Sequence, residues 1–382
     1  MMNMSAKKWL WGFGAVFSLL IGIVIALTVY IDPFFHYHKP LLKSFFYKLD
    51  NERYQNDGIV RHFNYNAIVT GTSMTQNFKA SEASSLFKCR AIKTCFSGGS
   101  YKEINDNLEK AYATGHKLKY VFRAVDYATL IQPVDRMRTD LGVFPEYLYN
   151  DNPFDDVQYL LNKDVLFRYE AVMLRAKLLG RRTGITSFDE YSSWQKKNAN
   201  KFGIEHIFKE MARRSGDKQV QTVDKALLLR RYFKRVEPEK SFSEEDRQMV
   251  ELNVNTNILR LVKRHPETQF YFFFPPHSIV WWGSRLNRAG EINRYIEAEK
   301  YAIELLLTCP NIKLYCFGLE HDLVNNLDNY KDMTHYGQHI NSQVLQAMAK
   351  DQNRLTLDNY KEHIQAKKEY YNHYDYESLL KD

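Results

Sequence analysis

The chain has 382 residues, 45% of them hydrophobic, with 53 Lys and Arg against 45 Asp and Glu. That is enough apolar material for a large core, and it excludes global disorder. The net charge of +8 is spread among acids with no nucleic-acid motif, which argues against nucleic acid and for an anionic membrane surface or envelope polymer as partner.

Residues 1–8 form a short tail ending in Lys7-Lys8. An uncharged, mostly apolar run follows from Trp9 to Ile31. At about 1.5 Å per residue in a helix, such a run spans the roughly 30 Å hydrocarbon core of a bilayer. It is too long for an ordinary signal-peptide apolar region and has no small-x-small cleavage site, so it reads as an uncleaved signal anchor. Lys7 and Lys8 favour a cytoplasmic N-terminus and an extracytoplasmic remainder. Asp32-Pro33 ends the helix. Residues 34–65 are aromatic and polar, and residues 32–65 read as a connector. In it, Arg53 is a structural residue or a substrate contact.

Five apolar runs read as strands of a parallel sheet: about 66–71, 91–96, 119–125, 269–275 and 312–317. Helical patterns separate them, as at Tyr101–Ala113 and 287–307, and Ser243 with Asp246 forms a capping-box pattern. The expected fold is an α/β doubly wound sheet over residues 66–352. The stretch 128–242 is too long for an ordinary crossover and reads as a helical insertion that covers the site. It holds helical patterns near 155–180, 204–213 and 222–235. Residues 353–382 read as a polar tail.

The first strand ends in Gly71-Thr72-Ser73-Met74. Gly71 permits a sharp turn there, and Ser73 sits at the carboxyl end of a strand, where open α/β sheets bind ligands. Alone, this is equally a turn serine or a helix N-cap. Far downstream comes Asp332-Met333-Thr334-His335. A serine hydroxyl needs an imidazole to take its proton, and the imidazole needs a carboxylate to fix its tautomer. Asp-x-x-His supplies both from one turn. Phe272-Phe273-Phe274-Pro275-Pro276-His277 ends the fourth strand on the same sheet edge. His277, Trp281 and Trp282 therefore stand as candidate pocket residues, with a hydrophobic core as the other reading.

In this order the motifs resemble the SGNH, or GDSL-like, hydrolases. Gly71-Thr72-Ser73-Met74 replaces the usual first block, and Ser97-Gly98-Gly99-Ser100 looks like the second. Asp332 and His335 match the last. The resemblance implies a flavodoxin-like five-stranded sheet, Ser73 as nucleophile, His335 as base and Asp332 as its orienting carboxylate. The amides of Ser73 and Gly99 would then hold the oxyanion. It also implies acylation or deacylation of an envelope or exported polysaccharide, as in O-acetyltransferases and D-alanyl transfer proteins, beside a membrane acyl exporter. The third block departs from the family: Phe122-Arg123-Ala124-Val125-Asp126-Tyr127 holds no Asn. Arg123 is a candidate replacement donor or substrate contact, or else the partner of Asp126. The competing expectation is a polysaccharide-binding or assembly module without turnover.

No phosphate loop or dinucleotide fingerprint occurs, and no cofactor is expected. His321, Asp322, His335 and His339 lack the His-Glu-x-x-His pattern, and Gly337 interrupts them, so no metal is expected. Cys89, Cys95, Cys309 and Cys316 permit two disulfides or four thiols.

Overall fold

The computed structural model describes residues 6–140, 143–195, 201–214 and 225–380. It divides into two compact units, one of residues 1–63 and 141–187, the other of 64–140 and 188–382.

The first unit begins with the helix Ala6–Ile31, which is long and apolar enough to cross a membrane and is exposed over most of its length. Asp32 stops it in a left-handed conformation, φ 45°. Its fully buried carboxylate accepts the amides of His36, Tyr37 and His38 at 2.8–3.0 Å and the Tyr159 hydroxyl at 2.8 Å. Four hydrogen bonds to one carboxylate fix the chain at the foot of the helix. Phe34, Leu148, Tyr159 and Val165 pack as the core, flanked by Tyr54 and Tyr169. The helix Glu52–His62 lies close to this turn, because Gly58 leaves room for the carbonyls of Phe34 and Phe35. Arg53 is buried here. Two-residue strands Phe46–Tyr47 and Gly184–Ile185 pair in parallel. The unit thus takes the expected connector as far as residue 63, together with residues 141–187 of the expected insertion.

The second unit is mixed α/β around a mostly parallel sheet. Its strands are β1 (Ala67–Gly71), β2 (Ala91–Cys95), β3 (Tyr120–Ala124), β4 (Gln269–Phe274), β5 (Ile312–Cys316) and β6 (Arg354–Leu355). The spatial order is β2-β1-β3-β4-β5-β6. The first five are parallel, and β6 pairs antiparallel with β5. The sheet therefore has six strands where five were expected. The extra strand has two residues, too few to show a period. Nearly every residue of β1, β3 and β4 is buried, as a sheet covered on both faces requires.

Register brings the carboxyl ends of the strands to one edge. Gly71 pairs with Cys95, Thr70 with Arg123, Ala124 with Phe273 and Phe274 with Cys316. The loops after these residues carry Ser73, Gly99, Asp126 and His277. Strand order reverses on either side of β1, the point where open α/β sheets leave a crevice. The helices Tyr101–Ala113 and Glu244–Val254 both open with capping boxes, at Ser100 with Glu103 and Ser243 with Asp246.

Candidate functional site

The chain leaves β1 through Gly71, whose φ is +146°. A Cβ there would stand 2.7 Å from the Thr75 methyl, so only glycine fits this bend. Ser73 then starts the short turn Ser73–Thr75. Three contacts hold the turn, one local to it and two from outside. The Thr75 hydroxyl donates to the Thr72 carbonyl at 2.8 Å, and the Asn341 amide donates to the Met74 carbonyl at 3.0 Å. The fully buried Lys93 ammonium donates to the Gln76 and Phe78 carbonyls at 2.5 and 2.9 Å. These bonds fix the backbone that carries Ser73, whose side chain is part-buried.

The Asp332–His335 turn is fixed as firmly. Lys331 donates its amide to the His335 carbonyl at 2.9 Å, and Gly337 to the Asn329 carbonyl at 2.9 Å. Ser278 donates to the Met333 carbonyl at 2.6 Å, and Tyr330 to the Pro276 carbonyl at 2.8 Å. The loop after β4 therefore carries the histidine turn.

Across these two turns the Ser73 Oγ lies 2.7 Å from His335 Nε2. On the far side of the ring, His335 Nδ1 is 2.8 and 2.9 Å from the two Asp332 oxygens. A carboxylate only accepts, so Nδ1 carries the ring proton and Nε2 is left to accept from the serine hydroxyl. Burial alone would raise the Asp332 carboxyl. The His335 ring and charge, with the amides of His335 and Thr334, overcome this and hold it well below the usual carboxylate range. Asp332 thus stays ionised and can stabilise an imidazolium. The His335 side chain keeps 25% of its surface exposed, so small molecules can reach it. This arrangement can take a proton from Ser73 as its oxygen attacks an electrophilic carbon, then return it to a leaving group.

The side that would bind a developing oxyanion is built differently. The Gly99 amide donates to the Phe96 carbonyl at 2.8 Å, so in this conformation it is committed to its own turn. The Arg123 guanidinium is fully buried away from solvent. It donates to the Asn257 carbonyl at 3.0 Å and the Tyr101 carbonyl at 3.5 Å, and stacks over the Tyr101 ring. Its place is in the packing of the sheet against the helices. Asp126 stands nearer to Ser73: it accepts the hydroxyl of the adjacent Thr72 and lies 3.6 Å from His277 Nε2.

His277, Trp281 and Trp282 are together but buried. His277 stacks near Trp281 with ring centroids 4.4 Å apart, and Trp282 lies 4.0 Å from the Tyr371 ring. Trp281 is 6% exposed, which makes it a core residue in this conformation. The aromatic residue beside the reactive groups is Trp194, from the expected insertion. Its ring centroid is 6.1 Å from that of His335, and the Lys331 ammonium sits 4.4 Å over it. Asn77 holds this strap through the Ser193 hydroxyl at 3.0 Å and the Trp194 amide at 3.2 Å. Nothing in the sequence singled out Trp194 among the 55 aromatic residues of the chain, 5 Trp, 26 Tyr and 24 Phe. His339 is bonded to Asn329 at 3.0 Å.

A second polar cluster lies within the same unit. Lys367, fully buried, donates to Glu299 at 2.6 and 2.8 Å and to the Tyr127 hydroxyl at 2.7 Å. Cys316 Sγ is 3.5 Å from Glu299, and His363 stands beside them. Burial pushes the Glu299 carboxyl up to about 7 against the pull of Lys367. All four cysteines are free thiols.

Comparison of the chain with protein-family models, curated proteins and solved structures finds no match.

Proposed function

We propose that this protein is a membrane-anchored serine esterase or O-acyltransferase of the SGNH type, acting outside the cytoplasm on an envelope or exported polysaccharide. The observation that carries the reading is the Ser73–His335–Asp332 geometry, with bonds of 2.7 and 2.8 Å in the right order. The strand order 2-1-3-4-5 of the five parallel strands is that of flavodoxin-like doubly wound sheets and agrees with it. Ser73 attacks an ester carbonyl, His335 takes its proton, and Asp332 orients the ring. The ester C–O bond then breaks, and His335 returns the proton to the departing alcohol oxygen, which leaves the acyl group on Ser73. Water or a sugar hydroxyl, deprotonated by His335, attacks that acyl group and frees Ser73. Lys7 and Lys8 before the apolar helix support a cytoplasmic N-terminus, which leaves the catalytic unit outside, beside a membrane acyl exporter.

Two observations favour a second reading, a polysaccharide-binding or assembly module without turnover. The Gly99 amide is committed to Phe96, and Asp126 occupies the third-block loop where the family has Asn. Loss of one oxyanion donor costs an enzyme roughly 10²–10³ in turnover.

The test supplies the purified protein with an activated acyl donor, with and without oligosaccharide acceptors. Transfer gives acylated oligosaccharide, and hydrolysis gives free acid at a rate indifferent to acceptor. Both disappear in Ser73→Ala and His335→Ala. Product formation unchanged in these variants, or none from the folded wild type with any donor, contradicts the enzyme reading.

A further inference from the structure

The unit that begins with the apolar helix also carries a second apolar face. Thr28 of that helix is buried, and its hydroxyl donates to the Leu160 carbonyl at 3.3 Å. Just beyond, Val165–Glu170 and Ala171–Leu178 form one continuous helical run. Val165, Glu170 and Met173 turn inward and are buried. Phe167, Ala171, Val172, Arg175, Leu178 and Leu179 turn outward at spacings of three, four and seven residues, which is one helical face. Phe167 is 68% exposed and Leu178 is 86% exposed. Phe154, before the run, is 88% exposed. Apolar side chains grouped in this way mark an interaction surface.

The depth of this face follows from the helix it is tied to. From Trp9, twenty residues at about 1.5 Å each reach about 30 Å, the thickness of the hydrocarbon core. The twentieth residue is Thr28. The Thr28–Leu160 hydrogen bond, five residues before the run begins, therefore lies at the outer hydrocarbon boundary, where amphipathic helices bind in the plane of the interface. The charge agrees. Arg175, Lys177, Arg181 and Arg182 fall within eight residues that hold no acid, and such a cluster is attracted to anionic headgroups.

We propose that the outward face of residues 167–179 lies on the bilayer surface, its apolar side chains at the acyl boundary and its basic residues among anionic phospholipid headgroups. This rests on the reading that the N-terminal helix crosses the membrane. It adds a second contact, which would hold the unit in one orientation on the bilayer rather than letting it swivel on a single helix.

The test places an environment-sensitive fluorophore on Phe167→Cys, Leu178→Cys and, separately, Phe17→Cys in the full chain. The chain is reconstituted in phosphatidylcholine discs with and without phosphatidylglycerol. The labelled wild type gives the background from its own cysteines, of which three are buried. Quenchers are lipids with a spin label near the headgroup or at the chain end, and aqueous iodide. The expected result is loss of most fluorescence at positions 167 and 178 with the shallow lipid quencher, stronger with phosphatidylglycerol. At position 17 the deep quencher should act. Iodide quenching at 167 and 178 equal to that of free label in buffer overturns the proposal. So does protection from both iodide and lipid, which means that a second copy covers the face. Loss of quenching at position 17 alone contradicts the anchor and leaves the surface contact standing; loss at all three positions overturns both.

Discussion

Two constellations at the carboxyl end of the sheet gather reactive side chains to opposite ends. In Ser73–His335–Asp332, a hydroxyl, an imidazole and a carboxylate are arranged in series, and the imidazole keeps a quarter of its surface open. In Lys367–Glu299–Tyr127–Cys316, an ammonium, a carboxylate, a phenol and a thiol are sealed from solvent. The first has a proton acceptor beside its hydroxyl, and its imidazole is open to solvent. The second has a cation against an anion, and all four of its side chains are buried. Reactive residue types do not make a site; their order and access do. The sealed cluster is also where removal of one partner is most costly to the fold.

Substitution should separate the two. Ser73→Ala and His335→Ala should each lower turnover by roughly 10⁴-fold or more, with thermal midpoints close to that of the wild type. Activity and melting measured on the same preparations check this. Lys367→Met should do the reverse. It leaves Glu299 buried without its cation, and a broken buried pair costs about 3–5 kcal/mol, read as a lower denaturant midpoint. The fraction that remains folded should label at Ser73 as the wild type does. Lys367→Met/Glu299→Leu together should recover most of the loss, because no buried charge is then stranded.

A third substitution sharpens the comparison at the open site itself. A Cβ on Gly99 would stand 2.6 Å from the Phe96 Cβ, so Gly99→Ala should cost about 1–3 kcal/mol of stability. If the Gly99 amide only closes its turn, the rate per folded molecule should hold. A fall of roughly 10²-fold in rate would instead return it to the oxyanion.

The smallest effect is one of pH. Burial, with the Lys367 charge beside it, pushes the His363 imidazole from 6.5 down to about 4, partly offset by Glu299. The folded state therefore favours the neutral ring. The stability this contributes is complete above pH 6.5 and is lost as pH falls through 6.5 toward 4. Unfolding free energy measured against pH should fall less steeply across this window in His363→Gln than in the wild type.

Much of this was legible in the chain, and each failure has a physical cause. The five parallel strands match their apolar runs within a residue or two at either end, because a strand covered on both faces must be apolar throughout. Gly71 and the Asp332–His335 spacing pointed to turns that the structure contains. Ser73 and His335 are 262 residues apart, and only the order of the motifs joined them. Trp281 and Trp282 showed the limit of composition: an aromatic ring suits a pocket wall and a core equally, and here it packs in the core. The role of Gly99 was hidden because a sequence cannot say which acceptor an amide faces. The division of 128–242 between two units rests on contacts such as Tyr159 with Asp32, which span 127 residues. The buried Lys367 sits in a polar C-terminal stretch whose helix Tyr360–Asn372 gives no periodic sign that one lysine turns inward.

The most direct measurement is covalent labelling of the purified, folded protein with a fluorophosphonate, followed by mass mapping of the adduct. A serine whose proton His335 accepts should attack the phosphorus and retain it. The account predicts one adduct, on Ser73, absent from Ser73→Ala and strongly reduced in His335→Ala. Equal labelling of wild type and Ser73→Ala, or no adduct on a wild-type protein that melts cooperatively, would contradict it.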